Sequence, residues 1–130
     1  MLSKDDFVAR ASKGSAFSAR ELSELDRDYE SAANTAEILA EAMPSVGFMS
    51  VERRLAAFFA VCRHLDQLIS QGTVSPAAAQ LSLLVLRLAN ASFQKAVIMF
   101  DTRHDRFDAR ARAEMPQSAQ VYLAGLRRYG

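Results

Sequence analysis

LSLLVLRLANASFQKAVIMF, residues 81–100, is apolar at fourteen of its twenty positions and contains neither Gly nor Pro. Its length matches a membrane span, but its polar positions argue against one. Arg87 lies a third of the way along, and Asn90, Gln94 and Lys95 follow. An Arg at the centre of a span costs roughly 2.5–3.5 kcal/mol, and Lys95 adds a similar penalty. Leu, Ala, Met, Gln, Lys and Arg all favour helix. The stretch therefore reads as a helix apolar over most of its circumference, the buried centre of a bundle.

The neighbouring segments also read as helices. Upstream, Ser75-Pro76 supplies an N-cap and a proline at the first helical position. No Gly or Pro interrupts Ala77 to Glu114, so the pattern predicts one helix near forty residues long, with a break near Asp101 as the alternative. Its apolar seam rotates, from Leu81, Leu84, Val85, Leu88 and Ala89 to Phe93, Val97, Phe100, His104, Phe107 and Ala111. A rotating seam meets different neighbours at its two ends. Before it, Ser50 caps a helix whose stripe is Val51, Leu55, Phe58, Cys62, Leu65 and Ile69, widened by Phe59, Val61 and Leu68 and stopped at Gln71-Gly72. Earlier still, Leu22, Leu25, Tyr29, Ala32, Ala36, Leu39 and Met43 form an unbroken heptad stripe. Ser18 and Glu21 make a capping-box pattern ahead of it, and Pro44 ends it. Pro44 to Met49 is an apolar turn, expected to plug one end of the bundle, with an exposed docking tip as the alternative. Residues 1–17 form a short helix, Lys4 to about Ser12, or a loosely held arm. After Met115-Pro116, a last helix runs from about Gln117 to Arg128. No segment alternates like a strand. The expected fold is all-α: one domain over residues 1–130, a helical bundle of four to five helices with one long helix near the C-terminal half.

Composition fits that expectation. A chain of 130 residues, half apolar and about a quarter charged, buries a core without metal or disulfide staples. Cys62 is the single cysteine and reads as a small buried thiol. The N-terminal residues MLSKDDFVARASKG hold acids and no long apolar run, unlike a secretory signal. The expected compartment is the cytoplasm, with export lacking a cleavable signal or delivery into a host cell left open. Net charge is +1 but unevenly spread. Residues 1–49 carry five Lys/Arg against nine Asp/Glu, and residues 50–130 carry eleven against six. An acidic helix packing beside basic ones accounts for this.

Residues 101–108, DTRHDRFD, hold the richest set of chemical groups. On a continuous helix Asp101, His104, Asp105 and Asp108 share one face, the donor types a divalent metal takes. Arg103, Arg106, Arg110 and Arg112 interleave with them, so a solvated salt-bridged surface explains the same letters. Those arginines, with Arg127 and Arg128, raise nucleic acid as a partner. Residues 101–114 balance four Arg against four acids, whereas nucleic-acid faces are net basic. His64 reads as structural. Phosphate loops, nucleophile elbows, zinc spacings and dinucleotide fingerprints are absent from the sequence. The tail MPQSAQVYLAGLRRYG is faintly similar to the end of bacterial terpene synthases, but that family's acid-rich metal motifs and most of its length are missing, so the likeness identifies no family.

The sequence therefore points to a non-enzymatic helical module with no cofactor, an adaptor or regulator that binds another protein and self-associates through the long helix. The expected partner or dimer surface is Phe93, Val97, Phe100, His104 and Phe107, flanked by Arg103 and Arg110. The alternatives are a nucleic-acid-binding regulator and a metal-binding bundle.

Overall fold

The computed structural model describes residues 3–13, 19–43 and 50–129, which form helices joined by short connections, without a strand among them. The helices are α1 (Lys4–Lys13), α2 (Ala19–Glu41), α3 (Val51–Ser70), α4 (Pro76–Ala89), α5 (Ala91–Arg103), α6 (Ala109–Ala113) and α7 (Gln117–Tyr129), with a 3-10 turn at His104–Arg106 between α5 and α6. The capping box at Ser18 and Glu21, the stripe positions Leu22 and Leu25, the turn Pro44–Met49, and the side chains of Arg127 and Arg128 lie outside what is described.

Most helix ends are set by local side chains. Ser50 Oγ accepts from the Arg53 N–H at 3.3 Å, and Ser75 Oγ accepts from the Ala78 N–H at 3.1 Å, each satisfying an orphan donor of the first turn. α3 ends in a Schellman motif. Gly72 takes φ 74°, its N–H reaches the Ile69 carbonyl at 3.0 Å, and the Thr73 N–H reaches Leu68 at 2.9 Å. That left-handed position is why glycine is needed there.

Packing divides the helices into two groups. α2 lies along α4 and also receives α1, while α3 holds α5 and α7. Tyr29, Ala32, Ala36 and Leu39 of the α2 stripe are buried, and the small residues at its middle suit the close pairing with α4. α1 is docked: Phe7 is fully buried against Tyr29 with ring centroids 5.4 Å apart, and Lys4 reaches Asp26 at 3.0 Å. Within the second group sits an aromatic cluster. Phe58 of α3 stacks on Phe100 at 4.6 Å and lies 5.9 Å from Phe93 and 5.6 Å from Tyr122. Burying a side chain of this size stabilises by about 1.5–3 kcal/mol.

The single long helix expected from Ala77 to Glu114 is not one helix. It breaks at Asn90 (φ −125°, ψ 111°), and the two arms diverge by 114°. Asn90 ends α4 through its N–H to Leu86 and starts α5 by accepting the Phe93 N–H on Oδ1 at 3.0 Å. Asn competes for local backbone groups in this way, which is what an inspection for Gly and Pro alone overlooks. The rotating seam is real, but the chain follows it by bending. α4 buries Leu81, Leu83, Val85 and Leu86 on the α2 side, and α5 buries Phe93, Ala96, Val97 and Phe100 on the α3 side. A second break follows α5, where Asp108 Oδ1 accepts the Ala111 N–H at 2.7 Å and caps α6.

α7 lacks a local cap because Pro116 precedes it. Asp66 of α3 supplies one from a distance. Its carboxylate accepts the N–H of Gln117 at 2.8 Å and that of Ser118 at 2.9 Å. Ser118 Oγ in turn donates to the Cys62 carbonyl at 2.9 Å. A carboxylate at a helix N-terminus also interacts favourably with the dipole. Asp66→Ala is expected to cost about 1–2 kcal/mol in urea denaturation, with Asp66→Asn losing less. A loss below about 0.5 kcal/mol would mean that water caps α7 equally well.

Candidate functional site

The residues singled out in the sequence fall in three different environments around Phe100. Phe93, Val97 and Phe100 are core, at 0%, 1% and 0% exposure. They are not an exposed partner surface in this fold, because the bend at Asn90 turns their face onto α3. His104 and Phe107 are half-buried, with ring centroids both 6.1 Å from Phe100. Arg103 is half-buried, while Arg110 is exposed and pairs with Glu114 at 3.2 Å.

The metal face is dispersed. It requires Asp101, His104, Asp105 and Asp108 on one helix, and α5 stops at Arg103. Asp101 turns toward α4 and α7, Asp108 caps α6, and Asp105 faces solvent. Among the described residues no three His, Cys, Asp or Glu side chains converge as metal ligands would. The arginine row is dispersed by the same break: Arg106 and Arg110 are exposed, whereas Arg112 is half-buried and donates to the His104 carbonyl at 3.4 Å.

Asp101 instead anchors a half-buried polar network across three helices. Tyr122 of α7 donates its hydroxyl proton to Asp101 Oδ1 at 2.8 Å. Arg87 of α4 lies 3.6 Å from Asp101 Oδ2 and donates to the Tyr122 oxygen at 3.4 Å. His104 donates from Nδ1 to the Asp101 carbonyl at 2.9 Å, which places its proton on that nitrogen. Burial raises the Asp101 pKa above the usual carboxylate range, against the opposing pull of the Tyr122 hydrogen bond, Arg87 and His104. Burial, reinforced by the Asp101 charge, raises that of Tyr122 well above the normal phenol value. None of Arg87, Asp101 and Tyr122 lines the cleft described next. These groups tie α4, α5 and α7 together. Sequence spacing could not pair Arg87 with Asp101 and Tyr122, since the contact depends on the bend.

The cleft lies between α3 and residues 107–116. Phe59, Phe107, Ala111, Met115 and Pro116 form its apolar walls, and Arg63 and Glu114 also line it. Its volume is about 230 Å³, and its mouth is wide. Ligand pockets for small molecules are usually larger and deeper, at about 300–1,000 Å³. Its volume is of the order of a single apolar side chain.

Cys62 lies behind the aromatic cluster and is fully buried. Burial pushes its thiol up to about 12, so little thiolate forms near neutrality. Alkylation of native protein at pH 8 is expected to be slow and to rise to the rate of a free thiol in denaturant. Fast labelling of the folded chain would contradict the burial.

The sign of the Asp101 contribution follows from its raised pKa. A carboxyl that holds its proton more tightly when folded adds stability while protonated and loses it as pH rises through the folded value. The stability of the native chain relative to Asp101→Asn should therefore fall as pH rises above the ordinary carboxylate value. Denaturation of both proteins across that rise measures it, and a margin that grows with pH would reverse the assignment.

Compared with models of protein families, with curated proteins and with solved structures, the chain matches none of them.

Proposed function

We propose that this chain is a non-enzymatic protein-binding module, an adaptor or regulator that associates with other proteins and with itself. The observation that carries the reading is the open apolar cleft between α3 and residues 107–116. Its wide mouth and small volume favour an inserted side chain over an enclosed substrate. The polar groups with the best geometry are engaged in holding the fold. Asp66 caps α7, Asp108 caps α6, and Asp101 is shared by Tyr122 and Arg87.

Self-association is supported by what the surface offers. Ile98 of α5 and Val121 of α7 are exposed at 43% and 44%, and either side chain is of a size to enter the cleft of a second copy. Arg63 and Glu114 give the cleft both signs of charge, which suits an interface meeting its own kind. Of the seam residues expected at a partner surface, Phe107 is the aromatic one that lines this cleft.

Ala111→Arg tests the reading, because a long cationic side chain at that wall obstructs the cleft. Sedimentation of the native chain should show mass rising with concentration, and Ala111→Arg should remain at the monomer mass of 14.3 kDa with an unchanged helical spectrum. Identical masses for the two at every concentration would count decisively against association through the cleft.

A further inference from the structure

The bend at Asn90 is one residue long, and the chain on either side of it is made of good helix formers. From Pro76 to Arg103 Asn90 is the one position outside a helix. Should Asn90 take helical angles, α4 and α5 become a single helix over residues 76–103, about 42 Å long. Such a helix would add the bonds from Ala91, Ser92 and Phe93 N–H to the carbonyls of Arg87, Leu88 and Ala89. In the bent form Asn90 Oδ1 replaces the last of these. Local preference therefore pulls toward the straight helix, and the bend is held by α5 and α7 packing on α3.

We infer that Asn90 is the hinge of a segment exchange, in which residues 91–129 of one copy leave their own α3 and pack on α3 of a second copy. The division of contacts makes this feasible. α4 stays with α2, while α5 and α7 together form the surface that covers α3. A departing α5–α7 unit exposes Phe58, Val61, Cys62 and Leu65, all fully buried at present. The unit that fits this face is the same unit from another copy, carrying Phe93, Val97 and Phe100. It restores the Phe58–Phe100 stack at 4.6 Å, the Asp66 cap on Gln117 and Ser118, and the Ser118 bond to the Cys62 carbonyl. The Arg87–Asp101 and Arg87–Tyr122 contacts also span the hinge, and their rebuilding between copies would complete the exchanged form. The second copy is thus favoured over any other occupant because it carries the same side chains that cover this face of α3 in the single chain. The inference deepens the proposed self-association and rests on that reading only for the identity of the partner.

Two substitutions push the hinge in opposite directions. Asn90→Leu removes the cap and adds a helix former, favouring the straight form. Ala91→Pro fits the bent form, since proline is accepted at the first helical position and keeps the preceding residue extended, where Asn90 already is. In a straight helix the same proline would clash with the Arg87 carbonyl. The native chain and both variants would be refolded from denaturant at high concentration and analysed by light scattering after chromatography. The expected result is a dimer of the native chain that persists on dilution, because its release requires undocking of α5–α7. Asn90→Leu should raise the dimer-to-monomer ratio about tenfold, the scale of one lost cap, and Ala91→Pro should abolish the dimer. Circular dichroism checks folding, and Ala91→Pro decides alone if Asn90→Leu does not fold. Dimer that is blocked by Ala111→Arg yet indifferent to both hinge variants would overturn the exchange while leaving cleft association standing. Dimer that responds to the hinge variants and not to Ala111→Arg would support the exchange and overturn the cleft reading. Monomer under all conditions would overturn both.

Discussion

The stack of Phe58 on Phe100, at 4.6 Å, is the contact on which the arrangement of this chain depends. It joins α3 to α5, and the rings of Phe59, Phe93, Phe107 and Tyr122 gather around the pair. Phe100 can reach Phe58 only if α5 turns away from the axis of α4. The apolar run of residues 81–100 would otherwise bury one face on α2 and leave its aromatic half without cover. Several buried aromatics outweigh the backbone bonds forgone at one break, since each contributes about 1.5–3 kcal/mol against about 1 kcal/mol for a hydrogen bond. The bend is thus a tertiary choice imposed on a segment whose local preference is straight.

That balance explains which features were legible in the sequence. Helical class, the caps at Ser50 and Ser75, the stop at Gly72 and the buried stripe of α3 depend on neighbours within a turn or two, and their letters carry them. Asn90 and Asp108 were read as a polar interruption and a candidate metal ligand, although both types are strong N-caps. Asn-Ala-Ser-Phe and Asp-Ala-Arg-Ala are cap patterns; the break near Asp101 was the expected alternative, and the one at Asn90 is signalled only by its cap. The Asp66 cap on α7 had no such signal. It joins residues more than fifty apart, and only the packing of α3 against α7 creates it.

The expected sites dissolved for the same reason. Asp101, His104, Asp105 and Asp108 share a face only on an unbroken helix, and the chain spends two of those carboxylates on its own geometry. Phe93, Val97 and Phe100, expected at a partner surface on a straight helix, are core because the bend brings α3 over them. The cleft beside Phe59 and Phe107 was not visible, because it needs α3 and the segment after α5 to meet.

The polar groups at the Asn90 bend differ from those within either helix group in one respect. Arg87, Asp101 and Tyr122 belong to α4, α5 and α7, so their network closes only when the α5–α7 unit is seated. A half-buried ionic contact of this kind adds little net stability, because desolvation offsets most of the attraction. Its effect is on specificity: a misplaced α5 would leave a buried carboxylate without its phenol and guanidinium, at a cost greater than the contact's own worth. The aromatic stack supplies the drive to pack α5 on α3, and Asp101 selects the register. Neither refers to which copy of the chain supplies the segment. The geometry that makes the fold specific is therefore indifferent to whether α5 returns to its own α3 or crosses to another.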